Sequence, residues 1–263
     1  MERGTLIIGA GVVGLGIGWQ LAKHGEPVTI LERGQAGQEA SWAAAGMLAP
    51  ATEVHYQEDR NLQLGLESMR RYPEFVAEVE AAAGMDVDYR TEGALAVGLT
   101  ADDAADLRAL YDYQTGLGLP VRWLSAEAAR ELEPGLSSYV TAGVFCGMDH
   151  QVDNRLLVQA LRQAFVLAGG TLLEGHEVTE LRLRTGGPQR VLAAGQEFSA
   201  PRLLVAAGSW SALLPGLPEA IRPPVRPVKG QICAVRSPEP AFLRHMIRAP
   251  QVYLAPKSDG RLV

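Results

Sequence analysis

The chain has 263 residues, long enough to bury a sizeable core in one large domain or two interleaved ones. Hydrophobic residues make up 47%, aromatics only 6%, and 29 glycines suit helices packed closely on a parallel sheet. The net charge of −6 is spread along the chain without a Lys/Arg run, so a nucleic-acid role has little support.

Thr5–Ile8 is predicted as a short buried strand, an apolar run bounded by glycine. A glycine-rich turn and a helix over about Val13–Lys23 follow, closed by Gly25 as a C-terminal cap. Val28–Leu31 is the next buried strand and completes a βαβ unit with parallel strands. The apolar stretch Leu6–Leu21 has no basic leader and no cleavage site, and is too glycine-rich and short for a membrane span. A cytoplasmic protein with no membrane span is the expectation.

Arg33–Pro50 is a linker rich in small side chains, and a long helix is expected from about Arg60 to Ala82, kinked or broken at Pro73. Gly93–Leu99 alternates like a strand, Ala101–Gly116 is helical with an acidic first turn, and Leu124–Leu132 is a short helix. Asp153–Ala168 is the clearest amphipathic helix, with Asp153 as N-cap and Leu157, Ala160, Leu161, Ala164 and Phe165 as its buried stripe. Strands are expected at Thr171–Leu173, Val178–Leu183 and Arg202–Ala206, with a turn at Arg184–Arg190. Prolines 215, 218, 223, 224 and 227 mark a boundary, after which Val228–Val235 and Val252–Ala255 read as strands of a second, antiparallel sheet.

Gly9-Ala10-Gly11-Val12-Val13-Gly14 has the form G-x-G-x-x-G, and here it follows a predicted strand and opens a helix. Gly9 permits the tight turn, Gly11 lets the backbone approach a pyrophosphate, and Gly14 lets helix and strand lie close. The helix N-terminus offers N–H groups and partial positive charge to phosphates. Glu32, 18 residues after Gly14, ends the second strand, where an acid accepts hydrogen bonds from ribose hydroxyls and repels a 2′-phosphate. The pattern establishes an ADP-ribose-like moiety and does not separate FAD from NAD. Downstream, the small-residue run from Ser41 to Leu48 lets backbone N–H groups reach a diphosphate and a flat ring lie against the chain. Taken alone, that run reads as a short Ala-rich helix.

Two cysteines, Cys146 and Cys233, make neither a disulfide framework nor a metal cage and are expected as small buried thiols in a reducing compartment. No metal site is expected, and the five scattered histidines (24, 55, 150, 176 and 245) read as surface or structural residues.

The stretches GAGVVGLGIGWQLA, VTILERG, ASWAAAGMLAP, DHQVDNRLLVQAL, LLVAAGSWS, RPVKGQ and VYLAPKSDGRLV occur in an order that resembles the D-amino-acid oxidase type of flavoenzymes. Within that family the thiamine-pathway glycine oxidases are the nearest resemblance. It implies an α/β fold: a Rossmann-like FAD-binding domain (residues 1–85 and 149–218) interleaved with an antiparallel-sheet α+β substrate domain (86–148 and 219–263). It implies FAD as cofactor, contacted by Gly9, Gly11, Val12, Val13, Gly14, Glu32, Arg33, Ala40, Ser41, Ala45, Gly46, Met47 and, through its backbone, Val178. From its strand alone, Val178 reads as a core residue. Tyr253 is implied as the catalytic-site residue, its hydroxyl towards the substrate carboxylate, with Gln251 on the same strand face.

The chemistry so implied is removal of a hydride equivalent from a small amine or amino acid, hydrolysis of the imine, and reoxidation by oxygen to give peroxide. A dehydrogenase passing electrons to another carrier and a silent FAD-binding module are the competing readings. The resemblance also implies a homo-oligomer, commonly a tetramer. Family members continue beyond the point matching Val263 with the rest of a strand, a carboxylate-clamping arginine and a glycine-rich segment and helix facing the flavin. On that reading the chain is a truncated fragment with an unpaired strand stub, binding FAD weakly and oxidising glycine poorly.

Overall fold

A computed structural model describes residues 4–56, 59–236 and 242–263. In chain order, β1 (Thr5–Ile8), α1 (Val12–Lys23) and β2 (Val28–Leu31) precede a one-turn helix α2 (Ala40–Ala43) and a short strand β3 (Met47–Leu48). Next come α3 (Asp59–Ala83), β4 (Ala94–Gly98), α4 (Ala101–Gly116), β5 (Val121–Ser125), α5 (Ala126–Leu132), β6 (Ala142–Cys146) and β7 (His150–Gln151). Then follow α6 (Asn154–Leu167), β8 (Thr171–Leu173), β9 (Val178–Arg182), β10 (Gln189–Ala193), β11 (Gln196–Ala200) and β12 (Arg202–Val205). The last elements are β13 (Val235–Arg236), β14 (Met246–Ala249), β15 (Val252–Leu254) and β16 (Arg261–Leu262).

Two compact units emerge. One comprises Met1–Ala44, Glu78–Asp86 and Asn154–Gln231, the other Ala45–Ala77, Val87–Asp153 and Ile232–Val263. These bounds differ from the expected domains chiefly at 45–77, which packs with the second unit: Ala49, Ala51 and Val54 lie in apolar clusters with Ala94, Met246 and Cys146.

The first unit holds a parallel sheet in the order β12-β1-β2-β8. Its two central strands, β1 and β2, are buried along their whole length because both faces are covered. Leu6, Ile8 and Leu31 pack against the antiparallel sheet β11-β10-β9 through Val178, Leu181 and Val191. On the opposite face Ile7 and Ile30 meet α1 at Gly18, where Phe165 of α6 also approaches. A Cβ on Gly18 would stand 2.8 Å from Ile30 Cδ1 and 3.2 Å from Phe165 Cε2, so any larger residue would have to push those side chains aside. The α1 helix ends as its sequence suggests, with Gly25 at φ +80° and its N–H on Ala22 O.

The second unit is built on a five-stranded sheet, order β15-β14-β4-β6-β5, plus the pairs β3-β7 and β13-β16. The five-stranded sheet is mixed, because β14 runs parallel to β4, where an antiparallel sheet was expected. The long chain between those strands permits a crossover that a hairpin does not. Leu95 and Val97 face Leu124, Ala129, Val140 and Ile247, while Ala94 faces Ala49 and Met246.

A buried carboxylate holds one edge of this core. Glu133 accepts the N–H groups of Arg244 and His245 and bonds His245 Nδ1, each at 2.9 Å. Burial pushes its pKa up, but those donors outweigh it and the carboxyl lies below its ordinary value.

Several expectations are corrected. The α3 helix is continuous across Pro73, with Met69, Val76, Val79 and Ala83 buried on either side of it. The predicted helix over 124–132 is strand as far as Ser125, since Val121-Arg-Trp-Leu favours extended backbone. Helix begins only where Ser125 Oγ caps the N–H of Ala128. Strands β5, β6, β10 and β11 were not anticipated. The expected strand Val228–Val235 is reduced to Val235–Arg236. The prolines before it remove donors, and Val228 is 84% exposed with no partner strand. Cys233 lies exposed on this segment, against expectation, whereas Cys146 is buried and its thiol is pushed up to about 11 by burial. Arg261–Leu262 is no unpaired stub: β16 pairs with β13, and Val263 exchanges backbone hydrogen bonds with Ala255. No described helix is long and apolar enough to cross a membrane.

Candidate cofactor-binding site

In the first unit the turn after β1 is shaped by its glycines. Gly9 sits at φ +102°, and a Cβ there would lie 2.4 Å from Ala206 O. A Cβ on Gly14 would lie 2.0 Å from Gly9 O, so the helix can close onto the turn only at glycine. At Gly11 the situation is different: the sole neighbour of a Cβ would be Ser41 Oγ, at 3.2 Å. That side of the turn is open to an incoming group.

Gly11 caps α1 without a side-chain acceptor, and Val12 N–H donates to Ser41 Oγ at 3.0 Å. Val13 is 60% exposed, an apolar residue left at the surface of the first turn. The first turn carries no acidic side chain, so the helix dipole there is uncompensated.

Glu32 is buried, and its carboxylate braces the turn. Oε2 accepts Ala10 N–H at 2.8 Å and Oε1 accepts Gly34 N–H at 2.9 Å. Each oxygen retains a second lone pair for a hydroxyl donor. Arg33 lies 3.8 Å from the centroid of the Trp210 ring and pairs with Glu39 at 2.6 Å. Ala40, exposed, and Ser41, half-buried, form the first half of α2. Val178 is a buried member of the core beneath the sheet, the place its strand pattern indicates.

Asn154, which the sequence did not mark, holds α2 in place: its Nδ2 donates to Ser41 O at 2.7 Å and Trp42 O at 3.0 Å. Arg155 stacks 4.4 Å from the Trp42 ring centroid. Both residues open the amphipathic α6, and only their position just after Asp153 hinted at a role.

In the second unit, Ala45 is buried, Gly46 takes φ +75°, and Met47 pairs with Gln151 across β3 and β7. Gly46 O accepts Val152 N–H at 2.9 Å. Lys257 is buried beside them, and its ammonium donates to Ala45 O (2.8 Å), Val152 O (2.9 Å) and Gln151 Oε1 (3.3 Å). Burial lowers its pKa to about 8, against the pull of Asp153 and Asp88. No local signal in the sequence distinguishes a buried lysine from an exposed one.

Tyr253 is exposed on β15, directly opposite Arg248 on β14, so the two share a sheet face. Gln251 does not alternate with it as expected. It lies in the two-residue turn between β14 and β15, where strand periodicity no longer applies.

Residues 5–263 match the family described as FAD dependent oxidoreductase, DAO. The chain belongs to this family of FAD-dependent oxidoreductases. It is 35% identical to a glycine oxidase of Geobacillus kaustophilus over 98% of the chain and 68% of that protein. It is also 38% identical to a bifunctional protein ThiO/ThiG of Synechocystis sp., over 98% of the chain and 38% of the relative. The crystal structure of glycine oxidase from Geobacillus kaustophilus superposes with a TM-score of 0.91 at 33% identity, covering 99% of this chain and 70% of that one. An iminodiacetate oxidase from Chelativorans sp. BNC1 gives a TM-score of 0.82 at 26% identity, over 98% and 70%.

FAD is the cofactor of this family, and the turn fits its ADP end: an open backbone at Gly11, an uncompensated helix N-terminus, and an acid at Glu32 with lone pairs to spare. Glu32→Ala is expected to leave the Ala10 and Gly34 N–H groups without an acceptor. The cost is about 1–3 kcal/mol in urea unfolding. Flavin fluorescence titration should show FAD bound at least tenfold more weakly.

Proposed function

We propose that this chain is an FAD-dependent oxidase of a small amine or amino acid. In the manner of glycine oxidase, it converts glycine, oxygen and water to glyoxylate, ammonia and hydrogen peroxide. The observation that carries this reading is the 35% identity to a glycine oxidase sustained over 98% of the chain. The likeness to ThiO/ThiG proteins supports a place in thiamine biosynthesis.

The residues that would hold FAD are Gly9, Gly11, Val12, Val13, Gly14, Glu32, Arg33, Ala40, Ser41, Ala45, Gly46, Met47 and Val178. Bound FAD supplies the acceptor for the hydride equivalent leaving the substrate's α-carbon. The first turn of α1 sets N–H dipoles against phosphate charge, and Glu32 accepts from ribose hydroxyls. Tyr253 offers its phenol as a donor to the substrate carboxylate, with the Arg248 cation on the same sheet face. The substrate binds as its free amine, and water hydrolyses the resulting imine.

The test is glycine-dependent peroxide release from the purified chain supplied with FAD, beside reduction of an artificial dye. Peroxide at a rate proportional to bound flavin is the expected result, with KM raised at least tenfold in Tyr253→Phe. Dye reduction without peroxide would reassign the chain as a dehydrogenase. Bound flavin with neither product would refute the oxidase reading.

A further inference from the structure

We infer that Lys257 is a positioning residue for the cofactor: its ammonium turns the Ala45–Gly46 peptide so that Gly46 N–H is presented as a donor to FAD, beyond the AMP half. This rests on the reading above that Ala45, Gly46 and Met47 contact FAD.

An ammonium has three donors, and the three contacts of Lys257 use all of them, on two backbone carbonyls and one side-chain amide oxygen. These acceptors are neutral, although a buried cation is stabilised far better by direct ion pairing. The charged groups around it, Asp88, Asp153, Arg90 and Arg261, are of mixed sign. A lysine kept here at such cost does something a neutral side chain would not.

The carbonyls it engages identify that role. A planar trans peptide points its C=O and N–H in opposite directions. With Ala45 O held by Lys257, Gly46 N–H is aimed away from the lysine. With Gly46 O held by Val152 N–H, Met47 N–H is aimed away from Val152. Both peptide planes flanking Gly46 are therefore pinned, at a residue whose φ of +75° only glycine adopts readily. Lys257 is the side-chain half of that clamp. Its stem ties the turn 257–260 to the same segment.

The experiment compares wild type, Lys257→Met and Lys257→Arg, measuring dissociation constants for FAD and for AMP by titration. AMP probes the half of the cofactor addressed by the glycine turn and Glu32. Lys257→Met should weaken FAD at least tenfold and AMP less than twofold, and Lys257→Arg should recover FAD binding to within about threefold of wild type. Unchanged FAD affinity in Lys257→Met, or equal loss for FAD and AMP, overturns the inference. A wild-type chain that binds AMP but not FAD defeats the underlying cofactor reading before any variant is compared. If Lys257→Met does not fold, the wild type and Lys257→Arg decide. Between pH 7 and 9.5 wild-type FAD affinity should fall as Lys257 loses a donor, while the arginine variant stays flat. Parallel pH profiles for the two overturn the inference.

Discussion

Gly9→Ala should unfold at markedly lower urea and purify without flavin. Two costs add at this position. A residue bearing a Cβ pays roughly 1–2 kcal/mol to hold a positive φ. The new methyl must also displace Ala206 O, which stands 2.4 Å from its ideal place on a neighbouring backbone. Overpacking of this kind costs about 1–3 kcal/mol, and backbone yields less readily than a side chain. A loss of about 3 kcal/mol is therefore expected, with FAD retention falling in step because the shifted turn carries the helix N-terminus with it. Gly16→Ala, on the α1 helix that follows the turn, supplies the opposite control. Nothing lies within 4 Å of its Cβ, so the substitution should stabilise by about 1 kcal/mol through helix propensity. Equal behaviour of the two variants would show that glycine content, rather than the packing at Gly9, matters here.

Glu133→Ala is the second large effect expected, in a region remote in sequence from the glycine turn. It strands the Arg244 and His245 N–H groups and removes the partner of His245 Nδ1 in a buried setting. Breaking such a buried set by deleting one member costs about 3–5 kcal/mol. The pH dependence follows from the lowered pKa of Glu133. A carboxyl lowered by folding contributes stability that is fully present above its unfolded value of about 4.5. That contribution is lost as the pH falls through the lower folded value. Urea midpoints should therefore drop for wild type below about pH 4.5 more steeply than for Glu133→Gln, which has no carboxyl to protonate. Equal slopes for the two proteins would mean that other carboxylates dominate the acid limb.

Much of the first unit was readable from local sequence. β1, β2 and β8 were assigned residue for residue, because buried parallel strands are short apolar runs bounded by glycine or charge, and such runs are unambiguous beside a glycine fingerprint. The α1 cap at Gly25 and the buried stripe of α6 follow from spacing alone. The second unit was less legible. Its strands β5, β6 and β14 join a mixed sheet whose partners lie far apart in the chain, and pairing at that distance leaves no periodic mark.

The candidate site divides in the same way. Gly9, Gly11, Gly14 and Glu32 are visible because a turn, a close approach and an acceptor each demand one residue type at a fixed spacing. Their chemistry is local, and the amino-acid order alone determined a nucleotide-binding turn for an ADP-ribose-like moiety. Asn154, Lys257 and Glu133 are silent in sequence, because their roles arise from acceptors and donors 105 to 212 positions away. A polar side chain announces a buried role only when the backbone it satisfies has come to meet it. Tertiary structure decided that Glu32 braces the glycine turn, that Pro73 leaves its helix unbroken, and that Lys257 is interior.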